Sequence, residues 1–337
     1  MQQYTWFTAR WSTWMILAIF SFCVFFYGFT IPVPATSGEN VIIEVKQGMT
    51  SDQIARMLYN RGLISSPGMF QLVAKWKGLG SSLQAGEYAI QRGTTVTHIV
   101  DMMAKGETNY LQLTIPEGYT VNQIAKLIEN QHIGSGTKFK ELAKQVPSDY
   151  DYMNGTSSSV VYAAEGFLFP DTYKLSKGIT EEQLIAMLTR QFDEKFTPEM
   201  RAQAAAMGLS TREVIILASL VEKEAQVEAD RPVIAGVFLN RLKEDMPLQS
   251  CATIQYILGY PKEELSVEDT EIASPFNTYL HRGLPPGPIA NPGIASIRAV
   301  LHPTVTDYLY FVADKQGAHH FSRTYEEHLA EIEKVRN

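Results

Sequence analysis

Two glutamates stand two residues apart at the end of an apolar run, Thr211-Arg-Glu-Val-Ile-Ile-Leu-Ala-Ser-Leu-Val-Glu222-Lys-Glu224-Ala. The stretch from Val214 to Val221 is apolar almost all round, and helices of that composition are buried rather than surface-lying. Thr211 is the expected helix cap. Glu222 then shares a face with Ile215, Ala218 and Ser219, where lost hydration favours a neutral carboxyl group. An acid kept protonated near neutral pH suits cleavage of a glycosidic bond, because the leaving oxygen must take up a proton. The plainer alternative is a helix-end glutamate that reaches solvent or pairs with Lys223 or Arg241.

Glu222 and Glu224 cannot flank one bond as a two-carboxylate pair. Residues two apart on a helix point about 200° away from each other. Glu224 is therefore expected to brace a neighbour, and a second acid would have to come from Asp171, Asp245 or Glu165. Neutral polar groups follow, several of them in loops rich in Pro and Gly, which exclude regular helix or strand interior. They are Asn240, Gln249, Ser250, Thr253, Asn277, Tyr279 and Asn291. With Asp171 in the aromatic turn Glu165-Gly-Phe-Leu-Phe-Pro-Asp171-Thr-Tyr173, they are the expected substrate-binding set, suited to sugar hydroxyl and acetamido groups. A metal centre built from His302, His319, His320 and His328 is a poor fit, since adjacent histidines do not usually share an ion. No cofactor or metal is expected.

The elements that position these residues lie in a chain of 337 residues with a formal net charge of -7. That length suits an anchor plus two or three small domains, and the charge argues against a nucleic-acid partner. Cys23 and Cys251, the two cysteines, lie far apart and are not expected to pair. Residues 11–33 carry no charge and are long enough to cross ~30 Å of hydrocarbon as a helix. Arg10 lies before the segment and Glu39 after it, predicting an N-in anchor with the remaining chain outside the cytoplasm. Cleavage near Val33-Pro34-Ala35 would make the same segment a secretory signal.

A repeat organises the next part. Val45-Lys-Gln-Gly48-Met-Thr50-Ser-Asp-Gln53-Ile54-Ala55 matches Ile115-Pro-Glu-Gly118-Tyr-Thr120-Val-Asn-Gln123-Ile124-Ala125. Each copy reads as strand, glycine turn, threonine cap and amphipathic helix. Further elements are expected as a helix over Pro67–Lys77, a strand over Leu83–Ile90 and a helix over Thr95–Met103. Residues 40–108 resemble LysM-type modules, which bind N-acetylated glycans, although a compact spacer would explain the repeat equally well. The fold class expected is α+β: anchor at 11–33 after a cytoplasmic 1–10, a small LysM-like domain at 40–108, and a larger mixed domain at 109–337.

Several blocks together are specific. Leu168 to Tyr173 (LFPDTY), Leu217 to Ala225 (LASLVEKEA), Phe238 to Leu242 (FLNRL), Leu248 to Thr253, Asn277 to Tyr279, Gly283 to Gly293 (GLPPGPIANPG) and Tyr310 to Asp314 (YFVAD) resemble the MltG (YceG-like) family of endolytic murein transglycosylases. The resemblance runs to His320-Phe321-Ser322. It implies that Glu222, in the VEKE motif, is the catalytic residue. It also implies a lyase acting on peptidoglycan glycan strands, which leaves 1,6-anhydromuramyl ends and terminates strands at the plasma membrane. The active domain would be extracytoplasmic, beside peptidoglycan synthases as partners. One departure is visible: Cys251 stands where the family usually has Asp. Two other readings remain, a muramidase with two carboxylates and a wall-binding scaffold without catalysis.

Overall fold

Local spacing decides the repeat. The structure is a computed structural model that describes residues 40–145, 150–153, 157–176, 178–262 and 264–336. The expected anchor at 11–33 lies outside the described residues, and among them no single helix is long and apolar enough to cross a membrane. The chain divides into two compact units between Leu111 and Gln112. In the first, strand β1 (Asn40–Val45) leads through Gly48, at φ 84°, into helix α1 (Ser51–Asn60). Only glycine takes that left-handed backbone without strain. Thr50 and Gln53 form a reciprocal capping box at the start of α1.

β1 pairs antiparallel with β2 (Gly86–Gln91), Asn40 opposite Gln91 and Val45 opposite Gly86. Alternate residues of the pair, among them Ile43, Val45, Tyr88 and Ile90, turn inward. They meet Ile54 and Leu58 of α1, Phe70 of α2 (Pro67–Trp76), and Ile99 and Met103 of α3 (Val96–Lys105) in one core. β2 begins three residues later than its composition suggests. The Gln84 N–H donates to Met103 O, and the Tyr88 hydroxyl to Gln84 O, so this segment is tied to the end of α3 instead of the sheet.

The opening recurs where the second unit begins. Strand β3 (Tyr110–Thr114) leads through Gly118, at φ 73°, to a Thr120–Gln123 capping box and helix α4 (Val121–Asn130). Helices α5 (Gly136–Ala143), α6 (Glu181–Lys195), α7 (Pro198–Ala206), α8 (Thr211–Glu224) and α9 (Arg231–Lys243) follow, with β4 (Thr172–Ser176) paired to β3. Then come α10 (Cys251–Leu258), the short α11 (Val267–Thr270) and α12 (Ile294–Leu301). A hairpin of β5 (Tyr310–Ala313) and β6 (His319–Ser322) precedes α13 (Tyr325–Arg336). Among the described residues, helices with three separate two-stranded sheets make an α+β architecture.

α8 lies at the centre of this unit, packed by α7, α9, α10 and α12. Every side chain from Val214 to Val221 is buried, each large apolar one contributing roughly 1.5–3 kcal/mol. Its cap is Ser210 and not Thr211. Ser210 and Glu213 have the spacing for a capping box: Ser210 Oγ accepts from Glu213 N–H, and a Glu213 carboxylate oxygen accepts from Ser210 N–H. Beside α8, Phe167 meets Phe192 edge-on at 5.1 Å, anchoring the loop that carries Glu165 to Asp171.

Gly166 in that loop holds φ at 89°, and a Cβ there would lie 2.5 Å from Pro288 and 2.9 Å from Ile215. Gly166→Ala is expected to cost on the order of 2–4 kcal/mol through backbone strain and overpacking. Denaturant unfolding should show the midpoint falling with an unchanged slope.

Candidate functional site

Because α8 has no solvent-facing stripe, the carboxylates at its end must find donors on neighbouring elements. They diverge, as their two-residue spacing requires. Glu222 turns toward the start of α12: Oε2 accepts from Gly293 N–H at 3.1 Å and from Ser296 Oγ–H at 2.7 Å. Arg231, the first residue of α9, lies 3.7 Å from Oε1, and its Nε donates to Ser296 Oγ at 3.1 Å. The Glu222 side chain is 7% exposed. Its cation is thus Arg231, from a helix whose start no local spacing links to Glu222, and neither Lys223 nor Arg241.

Glu224 turns toward the start of α10, where its Oε1 accepts from Ser250 Oγ–H and Ala252 N–H. Both carboxylates therefore occupy the positive end of a helix, the electrostatically favourable place for a negative charge. Glu224 braces a loop cluster, as expected of it. Thr278 Oγ1 accepts from Ser250 N–H and lies 3.0 Å from Thr253 Oγ1, and Tyr279 OH lies 3.1 Å from Cys251 Sγ.

The structure brings most of the expected binding residues together, but it turns several of them inward. Ser250, Thr253, Asn277 and Asn291 are buried. Asn277 donates to Thr270 O and Ile272 O and accepts from Tyr279 N–H, so its amide holds its own loop. Asn240 donates to Thr306 O and Tyr308 O, tying α9 to the segment before β5. These amides are occupied in the fold because a buried polar group must be paired. Gln249 and Tyr279 keep surface. Gln249 is exposed on a backbone at φ 49°, with Arg241 3.3 Å from its Oε1, and Tyr279 is half-buried. Asp171 accepts from Thr172 N–H and Gln191 Nε2–H and lines a cavity of about 400 Å³.

The candidate second acids separate by environment. Asp245 pairs with Arg282 at the surface, both side chains well exposed. Glu165 is fully interior, and its oxygens accept Val121 N–H at the start of α4 and Asn291 Nδ2–H. Asn291 also donates to Tyr119 O and accepts from Leu168 N–H. Burial pushes the Glu165 carboxyl up to about 8, against the pull of those donors and of Tyr256. His319 meets Asp230, and His320 lies between Asp314 and Glu331. Among the described residues no three His, Cys, Asp or Glu side chains gather to hold a metal.

A carboxylate absent from the expected set stands beside Glu222. Glu117, in the turn between β3 and α4, lies over Gly293, where a Cβ would fall 1.9 Å from Glu117 Oε1. The Glu117 acid is raised by desolvation and by the Glu222 charge, with Arg231 pulling the other way. The signal lay in the repeat, where the first copy has Gln47 at the matching place.

The sequence pattern of the YceG-like family matches residues 43–334. The chain belongs to the YceG-like family. It is 36% identical over 329 residues to the endolytic murein transglycosylase of Bacillus subtilis (strain 168), covering 92% of this chain and 89% of that protein. The protein of the same name from Streptococcus pneumoniae is 32% identical over 325 residues, covering 88% of this chain and 59% of the relative. A crystal structure of a yceG-like protein from Listeria monocytogenes superposes with a TM-score of 0.59 at 33% identity, covering 88% of this chain and all of that one.

Glu165 gives this YceG-like chain a definite pH response. Its acid titrates near 8 in the folded protein against 4.5 for the free group, so the folded state holds more protons between those values. Stability must then fall as pH rises through that window. Thermal melting from pH 4.5 to 8.5 should show wild type losing stability toward alkaline pH, with Glu165→Gln giving a flatter curve.

Proposed function

We propose that this chain is an endolytic murein transglycosylase, with Glu222 as its acid and base. The observation that carries this reading is one buried carboxylate held by Gly293 N–H, Ser296 Oγ and Arg231, in a family whose relatives in Bacillus subtilis and Streptococcus pneumoniae bear that name. A lytic transglycosylase needs a single such group. Protonated Glu222 gives its proton to the oxygen joining N-acetylmuramic acid to N-acetylglucosamine, and the C1–O bond breaks. The carboxylate then takes the proton of the muramyl 6-hydroxyl as that oxygen closes on C1. The acid is regenerated, no water is consumed, and a 1,6-anhydromuramyl end remains.

Gln249 and Tyr279, which retain surface, and Asp171 at the cavity wall, are the binding candidates that the geometry leaves available to a sugar. Ser250, Thr253, Asn240, Asn277 and Asn291 spend their polar groups on bonds within the fold. The finer parts of the reading rest on sequence: a membrane anchor at 11–33, glycan binding by residues 40–108, and termination of nascent strands beside the peptidoglycan synthases.

Full-length chain incubated with purified peptidoglycan, its products analysed by mass spectrometry, tests the reaction. Wild type is expected to release anhydromuramyl ends, and Glu222→Gln to lower their rate by roughly 10²–10⁴. Reducing ends in their place would move the chain to the hydrolases. Cleavage by neither, with glycan binding intact, would favour the scaffold.

A further inference from the structure

Glu222 is nearly enclosed, so something must connect it to the solvent and to the sugar it protonates. The turn Glu117-Gly118-Tyr119 closes over it. Gly118 N–H donates to Asn291 O at 2.9 Å, and Asn291 N–H returns to Tyr119 O at 2.9 Å, so the turn is locked to the strand of chain entering α12. A Cβ on Gly118 would lie 3.5 Å from Glu222 Cγ and 3.6 Å from Lys223 Cδ, which places the turn directly on the end of α8. Gly293, whose N–H holds Glu222 Oε2, is covered on its open side by the Glu117 carboxyl.

Glu117 is exposed and lines the cavity of about 400 Å³ with Phe169, Asp171, Lys195, Ile294 and Arg298. It therefore has one side on open space and the other on the glycine that anchors Glu222. We propose that Glu117 is a positioning residue for Glu222, keeping a proton within the pair and linking the buried carboxyl to the cavity. This rests on the transglycosylase reading. No net chemistry is added: a proton held between two carboxyl groups passes to the leaving oxygen and is recovered from the 6-hydroxyl.

The charges around the pair agree with that role. Glu222 and Lys223 come from α8, Arg231 from the start of α9, Glu228 from the turn before it, and Asp171, Glu194, Lys195 and Arg298 from the cavity wall. Desolvation and the Glu222 charge raise the Glu117 acid, Glu228 adds to this, and Arg231 opposes it. Like charges at one place oppose each other, which favours the protonated form of Glu117 beside Glu222.

The test compares wild type with Glu117→Gln, Glu117→Asp and Glu222→Gln in the full chain. Cleavage is followed from pH 4.5 to 9 as anhydromuramyl ends released from purified peptidoglycan. Glu117→Gln should keep activity at acid pH while its alkaline limb moves to lower pH by about one unit, and Glu117→Asp should restore most of that limb. Independently, the Glu117 carboxyl, followed by ¹³C NMR, should titrate at lower pH in Glu222→Gln than in wild type. An unshifted profile in Glu117→Gln overturns the proposal, as does a loss equal at every pH that Glu117→Asp fails to rescue. An unmoved Glu117 titration in Glu222→Gln also overturns it. Should wild type release no anhydro ends while the Glu117 titration still shifts, the pairing stands and the transglycosylase reading falls.

Discussion

A helix whose body is buried on all sides must find partners for the half-buried carboxylates at its end. α8 is such a helix, and its last turn carries two carboxylates in surroundings where an unpaired charge would cost several kcal/mol. The surrounding architecture answers both. One carboxylate meets the start of α12 and the guanidinium of Arg231, the other the start of α10. Those donors must arrive in fixed places, so the Pro- and Gly-rich loops that deliver them are rigid, and their own amides are spent holding them so. The polarity of the loops serves this scaffold first and any ligand second.

The parts legible in sequence are those that local periodicity governs. Thr50 with Gln53 and Thr120 with Gln123 announce their helices because a capping box is a contact three residues long. The divergence of Glu222 and Glu224 follows from helical geometry alone, and the all-round burial of α8 from its composition. Residues meeting across the fold left weaker traces. Asn277 and Asn291 have the chemistry of sugar ligands, but residue type does not say whether an amide faces solvent or a buried carbonyl. Glu117 looked like one more turn residue of a repeat, and only its neighbour from more than a hundred positions away gives it meaning.

The two copies of the repeat show how one local design takes different duties. Both place a polar residue just before a left-handed glycine. In the first copy this is Gln47, and Gly48 has open space around it. In the second the residue is Glu117, and Gly118 rests on the end of α8. The glycine is needed in both for backbone reasons, and in the second also for the close approach.

The ties that complete the site span long stretches of chain. Asn291 reaches Tyr119 across 172 positions and Glu165 across 126, and Glu222 reaches Ser296 across 74. Contacts of that range form late, because closing a long loop costs entropy before it returns any contact energy. A polypeptide still emerging from the ribosome can fold its capped strand–helix units early, yet it has no enclosed Glu222 until residues 291–296 have followed. Enclosure of Glu222 thus depends on a segment 71 to 74 positions further along the chain.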